Sequence, residues 1–432
     1  MPPLELDSRA PGFPDAFERF LAAERAPEAD VAGTVAAILA DVKARGDAAV
    51  IDYTRRFDRV DPAGRGLEVG TAEIEAAVRD TAPEVRRALE TAAQRIADFH
   101  GRQTFPTLDY RDDKGVRLGA RWTPVDAVGL YTPGGLAAYP SSVLMNAMPA
   151  KVAGVGRVVM TVPTPDGRIK PSVLAAARIA GIDRVYRIGG AQAIGALAYG
   201  TETIAPVDKI VGPGNAYVAE AKRQVFGTVG IDMVAGPSEI LVVADADNDP
   251  AWIAADLLSQ AEHDAVAQAV LITDDADFAA AVVRAVDIHL QRLPRTEIAG
   301  RSWADHGAVI TVGSLEEAPA LVDRIAPEHL ELAVADPDGL MARIRHAGSI
   351  FLGRHTPEAI GDYVVGPNHV LPTLRGARFS SGLNTADFMK RTTFLACDAT
   401  ALAAIGPAAA TLAEEEGLDA HALSVSLRLG GA

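Results

Sequence analysis

Gln260 and His263 stand three residues apart in "LLSQAEHD", the end of a stretch, "DPAWIAADLLSQAEHD", that otherwise reads as a buried helix. Asp249 is its expected N-cap and Pro250 its first helical residue. Ile253, Leu257 and Gln260 follow at i, i+4 and i+7, so the amide falls on the face that the aliphatic side chains bury. His263 projects from the same side. An amide and an imidazole buried there need partners. A first-row metal such as Zn²⁺ is one, since it takes imidazole nitrogen and carboxylate oxygen, with Gln260 as an unusual oxygen donor. Asp362 in "AIGDYVVGP" and His421 in "EEEGLDAHALS" supply the further ligand types. Taken singly, each of the four is equally a structural residue satisfied by hydrogen bonds.

A second constellation is Glu328–His329 in "IAPEHLEL". Pro327 holds the chain extended, and the pair precedes a strand. Adjacent strand residues point to opposite faces, but in the loop just before the sheet both side chains reach one cleft. Imidazole titrates near neutrality and a carboxylate orients water, which makes the two an acid–base set. The alternative is a helix-to-strand corner with solvated charges.

Three glycine-rich loops, "GLYTPGGLAAYPSS", "RIGGAQAIG" and "IVGPGNAYV", each join a strand end to a helix. Glycines there let backbone N–H groups approach a phosphate, so a dinucleotide is the expected ligand. Tyr131, Gln192 and Asn215 offer it an aromatic face and two amides. No loop carries the G-x-G-x-x-G fingerprint, so binding is arranged differently from the usual Rossmann site. The alternative is that Gly189, Gly190, Gly212 and Gly214 only make tight turns.

The elements that must position these groups alternate. Residues 14–100 carry apolar side chains at helical spacing, an all-α start. From about residue 124, strands "AVGLY", "RVVMTV", "RVYRI" and "DKIVG" alternate with helices, and after "GIDMVAGPSE" a second set follows: "EILVVAD", "AQAVLIT", "AVITVG", "LELAVA" and "SIFLG". Such alternation predicts an α/β protein with two parallel-sheet, nucleotide-fold-like domains. Beyond "GARFSSGLN" the chain reads as a mostly helical tail of the kind that packs on a neighbouring subunit.

Composition narrows the function. The 432 residues are 49% hydrophobic and 23% charged, the balance of a globular enzyme. A formal charge of −16 makes nucleic acid and acidic membranes poor partners. The N-terminus has no signal-peptide pattern and no apolar run reaches the length of a bilayer span, which gives a cytoplasmic expectation. The one cysteine, Cys397 in "TTFLACDAT", reads as an inert packing thiol and not as a nucleophile.

The motifs "YTPGG", "GGAQAI", "KIVGPGN", "GIDMVAGPSE", "LLSQAEHD", "IAPEHLEL", "GDYVVGPNHVLPT", "ARFSSGL" and "EGLDAH" run almost end to end. In this order the sequence resembles the histidinol dehydrogenase family. The resemblance implies oxidation of L-histidinol to L-histidine through an aldehyde, with two NAD-dependent hydride transfers and one Zn²⁺ per site, as the last step of histidine biosynthesis. It implies two Rossmann-like, aldehyde-dehydrogenase-like domains in a homodimer. Residues 1–26 form a helical N-terminal segment. Residues 27–124 and 239–382 form a discontinuous α/β domain with the acid–base pair and most metal ligands. Residues 125–238 form the NAD domain, and 383–432 a helical tail reaching the partner subunit.

Carried over, the resemblance gives Gln260, His263, Asp362 and His421 as zinc ligands, His421 coming from the partner. Tyr131, Gln192 and Asn215 contact NAD. Ser238 and Glu416, with His329 and the metal ligands, hold the substrate, and Glu328 and His329 accept protons. A relative on the same scaffold acting on another small alcohol, such as a sulfonated diol, is the alternative function. A zinc hydrolase without nucleotide is a third reading, against which the glycine loops argue.

Overall fold

The computed structural model describes residues 2–23, 31–134, 139–234 and 236–430. The chain opens with a strand, β1 (Leu4–Asp7), which joins a sheet built from residues 239–352. Leu6 enters the same core as Phe17 of the next helix, Phe13–Ala22. This strand corrects the all-helical reading of the first residues. It is too short for its alternation to stand out, and it exists only because a distant strand pairs with it.

Helices Ala32–Arg45, Asp47–Asp58, Thr71–Asp80 and Pro83–Gly101 follow. Val35, Ile38 and Leu39 of the first pack on one face of the sheet spanning residues 127–231, with Ala127 and Tyr131. Ala92, Ala93 and Ile96 of the last pack on the other, with Val128 and Leu130. The sequence reading groups these helices with 239–382; their apolar faces instead cover the 127–231 sheet. A parallel sheet is apolar on both faces and needs cover on both.

A hairpin, β2 (Leu108–Arg111) and β3 (Arg117–Pro124), comes next. Then five parallel strands build the first large sheet: β4 (Ala127–Tyr131), β5 (Arg157–Thr161), β6 (Arg184–Tyr186), β7 (Lys209–Val211) and β8 (Gly230–Ile231), in the order β6-β5-β4-β7-β8. The second is β9 (Glu239–Ala244), β10 (Gln268–Thr273), β11 (Ala308–Thr311), β12 (His329–Ala333) and β13 (Ser349–Leu352), in the order β1-β11-β10-β9-β12-β13 and parallel throughout. Their five strands are wound alike, third-second-first-fourth-fifth. In each sheet the winding reverses beside the first strand, β4 next to β7 and β9 next to β12, where strand ends leave a crevice.

Strand β14 (Met389–Ala396) pairs antiparallel with β3. It is a strand that the mostly helical reading of the tail did not include. Its residues are exposed or half-buried, so no apolar alternation announces it. Helices Ala399–Glu415 and Asp419–Ser426 complete the tail. Among the described residues no helix is long and apolar enough to cross a membrane.

Candidate active site

A cavity of about 330 Å³ lies between the two sheets. Its walls include Pro133, Gly212, Pro213 and Gly214, from the loops after β4 and β7, and Ser238, Glu328 and His329, at the starts of β9 and β12. The carboxyl edge of the first sheet thus meets the amino edge of the second. Gly212 closes the first wall at φ +110°, and a Cβ there would stand 2.2 Å from the Tyr131 carbonyl oxygen, so only glycine lets the loop approach β4.

His329 opens β12 and is buried. Its Nδ1 lies 2.9 Å from the Glu239 carbonyl oxygen. A carbonyl only accepts, so Nδ1 carries the proton and Nε2 presents a lone pair. Nε2 has no hydrogen-bond partner; it stands 3.6 Å from Glu358 Oε1 and 3.9 Å from Asp362 Oδ1.

Glu328 is locked to β9 reciprocally. The Glu239 N–H donates to Glu328 Oε2 at 2.9 Å, and the Glu328 N–H donates to Glu239 Oε2 at 3.2 Å. Glu239 Oε1 accepts a third bond, from the Leu374 N–H at 3.0 Å. Burial pushes the Glu328 carboxyl well above the usual carboxylate range, and the charges of Glu239, Asp362 and Glu358 add to this. The sequence reading missed Glu239, whose only signal is a charge at the first position of an apolar strand.

Gln260 ends the helix Pro250–Ala261, which Asp249 caps by accepting from the Ala251 N–H. The amide is buried on the cavity wall and its Nε2 has no partner. A half-turn about the last torsion puts the carbonyl oxygen in the same place. His263 follows on the cavity's open side, where desolvation lowers its imidazole pKa. Asp362 lies in the helix Glu358–Tyr363; burial, then the neighbouring Glu358, raises its carboxyl far above the usual range. His329, Glu358 and Asp362 each offer a ligand atom, all within 4.8 Å of one another. Glu358 was also missed, although it stands i, i+4 from Asp362 on the same short helix. His369 backs the group. Its Nδ1 donates to the Asp362 carbonyl and its Nε2 meets Ser142 Oγ at 3.2 Å, while burial pulls its pKa down to about 4.

Tyr131, Gln192 and Asn215 meet in a second cavity, of about 260 Å³, with Gly189 and Gly190. The Tyr131 hydroxyl accepts from the Gly190 N–H at 3.1 Å, and burial lifts its pKa to about 12. Asn215 caps the helix Ala216–Val225 through Val218. The loops 131–134 and 212–217 serve both cavities.

The structure therefore brings Ser238, Gln260, His263, Glu328, His329 and Asp362 to one cavity and Tyr131, Gln192 and Asn215 to the next. Glu416 and His421 are exposed on the tail and line neither cavity within this chain. Cys397 is exposed, not packed, because it follows the outermost face of β14. It lies outside both cavities as well.

Two like-wound parallel sheets, glycine loops at one cleft edge and an acid–base pair at the other define an α/β oxidoreductase with a dinucleotide cleft. The family model for histidinol dehydrogenase matches residues 21–429. Curated histidinol dehydrogenases of Rhodospirillum rubrum and Ruegeria pomeroyi are 66% and 65% identical over 99% of this chain, and alignment covers 99% of each. The crystal structure of histidinol dehydrogenase from Elizabethkingia anophelis superposes with a TM-score of 0.94 at 37% identity, covering 99% of this chain and 98% of that one. The chain belongs to the histidinol dehydrogenase family.

The donor set fits zinc. Gln260 and His329 carry orphaned buried atoms on the wall of one cavity, the orphaned Glu358 Oε1 lies 3.6 Å from His329 Nε2, and the raised carboxyl of Asp362 marks a place that a nearby cation would relieve. The second cavity, with its glycine loops, fits NAD.

Proposed function

We propose that this protein oxidises L-histidinol to L-histidine, the last step of histidine biosynthesis, with NAD as hydride acceptor and zinc as the resident metal. The observation that carries the substrate is the 66% identity, over nearly the whole chain, to a histidinol dehydrogenase. Site geometry supports the following roles.

Gln260, His263 and Asp362 would hold the zinc, which would supply a template for the nitrogens of the substrate, and the second cavity would hold the NAD that serves as hydride acceptor. His329 Nε2, unprotonated because Nδ1 is held by the Glu239 carbonyl, accepts the hydroxyl proton as hydride leaves the carbinol carbon. The aldehyde stays in the cavity. Glu328 takes a proton from water as its oxygen adds to the aldehyde carbon, while the proton held on His329 Nε2 passes to the aldehyde oxygen, giving the hydrated aldehyde and freeing Nε2 to accept again. The hydrate then loses its second hydride to a second NAD, a hydroxyl proton again going to His329, and the carboxylate product results. Each turnover thus uses two NAD and one water. The reciprocal bonds between Glu239 and Glu328 keep the carboxyl and the imidazole on one wall throughout.

The ligand set is completed in a homodimer. Leu412, Leu418, Leu423 and Leu427 expose 64, 42, 54 and 58% of their surface on the tail that also carries Glu416 and His421. Such an apolar, exposed tail suits a partner subunit. There His421 is the fourth zinc ligand and Glu416 a substrate contact.

Purified protein given L-histidinol and NAD releases two NADH per histidinol consumed. One equivalent, or turnover only with a sulfonated diol, overturns the reading.

A further inference from the structure

Among the described residues the second cavity holds one charged side chain, Asp58, in a wall otherwise formed by Ile38, Phe57, Tyr131, Ala191, Tyr217, prolines, glycines and amides. The position is unfavourable for a carboxylate. Asp58 is the last residue of the helix Asp47–Asp58, where the helix dipole presents its negative end, and only 6% of its surface is exposed. Desolvation raises its pKa above the usual value. Its neighbour Arg59 is turned away, held by Asp166 through two hydrogen bonds of 2.9 Å. Asp58 Oδ2 accepts from the Thr164 N–H at 2.7 Å, and no ion pair to Asp58 forms among the described residues. A carboxylate has about four acceptor positions, so capacity is left over on the cavity wall.

Thr164 lies just past β5, the second strand of its sheet in chain order. In the usual dinucleotide fold an acidic residue near that point binds the adenosine ribose. Here the loop reads "TVPTPDG", and its one acid, Asp166, is exposed and taken up by Arg59. The helix Asp47–Asp58 delivers one from outside the βαβ unit to the same place.

The orientation of the dinucleotide follows from the proposed reaction, on which this inference rests. Nicotinamide must reach His329 in the main cavity, so the second cavity takes the adenosine. Phe57 and Tyr217, each 44% exposed, and Pro163 and Pro165 offer it stacking surfaces. We propose that Asp58 accepts hydrogen bonds from the adenosine ribose hydroxyls and thereby selects NAD over NADP. A 2′-phosphate would meet a buried carboxylate, in a cavity whose described walls contain no lysine or arginine.

The test is calorimetric binding of NAD and of NADP to the zinc-loaded protein without histidinol. The wild type prefers NAD by about a hundredfold or more. Asp58→Asn keeps an oxygen for the Thr164 N–H but removes the charge, and lowers that preference by about tenfold or more. Asp58→Ser, smaller and neutral, gives the same reading if the Asn variant is insoluble. An unchanged ratio overturns the proposal. Tyr217→Ala, on an exposed ring, separates the two levels: it weakens both dinucleotides in parallel. If it changes neither, the adenosine is not in this cavity, and the assignment of the cavity falls with the role of Asp58.

Discussion

His329 and Glu239 are joined side chain to main chain: the imidazole Nδ1–H donates to the Glu239 carbonyl oxygen at 2.9 Å, while the Glu239 carboxylate holds the backbone N–H of Glu328. One residue of β9 thus sets the tautomer of the base and the place of its acidic neighbour.

If Nε2 is the proton acceptor, His329→Asn loses the reaction and little else. Asn can still donate to the Glu239 carbonyl, so the strand start is kept. Turnover is expected to fall by about 10² to 10⁴, the span of general-base effects. Calorimetry should find NAD binding unchanged. Turnover within a few-fold of the wild type would remove His329 from the mechanism.

Asp362 offers a more direct test of the metal. Asp362→Asn exchanges a charged ligand for a neutral one and is expected to release zinc at a chelator concentration about tenfold lower or less. Metal content measured by mass spectrometry after dialysis reads the outcome. Chelated wild type should lose activity and regain it with zinc, and its melting temperature should fall without the metal, because the ion binds only the folded state.

If the site is shared between two subunits, as proposed, complementation reads it. His329→Asn and His421→Asn are each expected to be inactive as homodimers. Unfolded together and refolded, half the dimers are mixed, and each mixed dimer holds one site with neither substitution. Activity should recover to about a quarter of the wild-type value, the statistical limit for a symmetric dimer. No recovery would place His421 in its own chain's site or in none.

Asp256 and Glu331 form a buried pair beneath Glu358, whose N–H bonds to Glu331. Burial raises the Asp256 pKa from 3.8 to about 6, so the folded state favours the neutral acid. Below pH 3.8 both states are protonated and stability is unaffected. Between about 4 and 6 the folded protein binds the extra proton, so stability falls as pH rises, then levels off. Asp256→Asn removes this penalty. Its stability should nearly match the wild type near pH 4 and exceed it at pH 8 by up to about 3 kcal/mol, read as a higher melting temperature. An equal difference at both values would deny the coupling.

The parts of the fold that bury apolar runs were legible. All nine strands expected from "AVGLY" to "SIFLG" occur, because a strand covered on both faces must be apolar along its length. Strands β1, β2, β3, β8 and β14 were not, since each is short or largely exposed and carries no continuous apolar run. In the site, Gln260 announced itself as an amide on a buried face. Glu239, Glu358 and His369 did not, for their partners are main-chain groups or residues far away in sequence, and spacing carries no record of either. Asp58 has no local signal either, since its partner is the Thr164 N–H in the loop after β5.

The two large sheets are wound alike yet offer the cleft opposite edges, carboxyl from the first and amino from the second. Strand β12 carries His329 at one end and Ala333 at the other, about 13 Å apart. The turns at the far end, which hold Asp247, Val334, Arg354 and His355, surround an open hollow whose walls include neither Glu328 nor His329. The carboxyl edge of the second sheet is therefore a spectator edge: loops grafted or lengthened there are expected to leave the chemistry untouched.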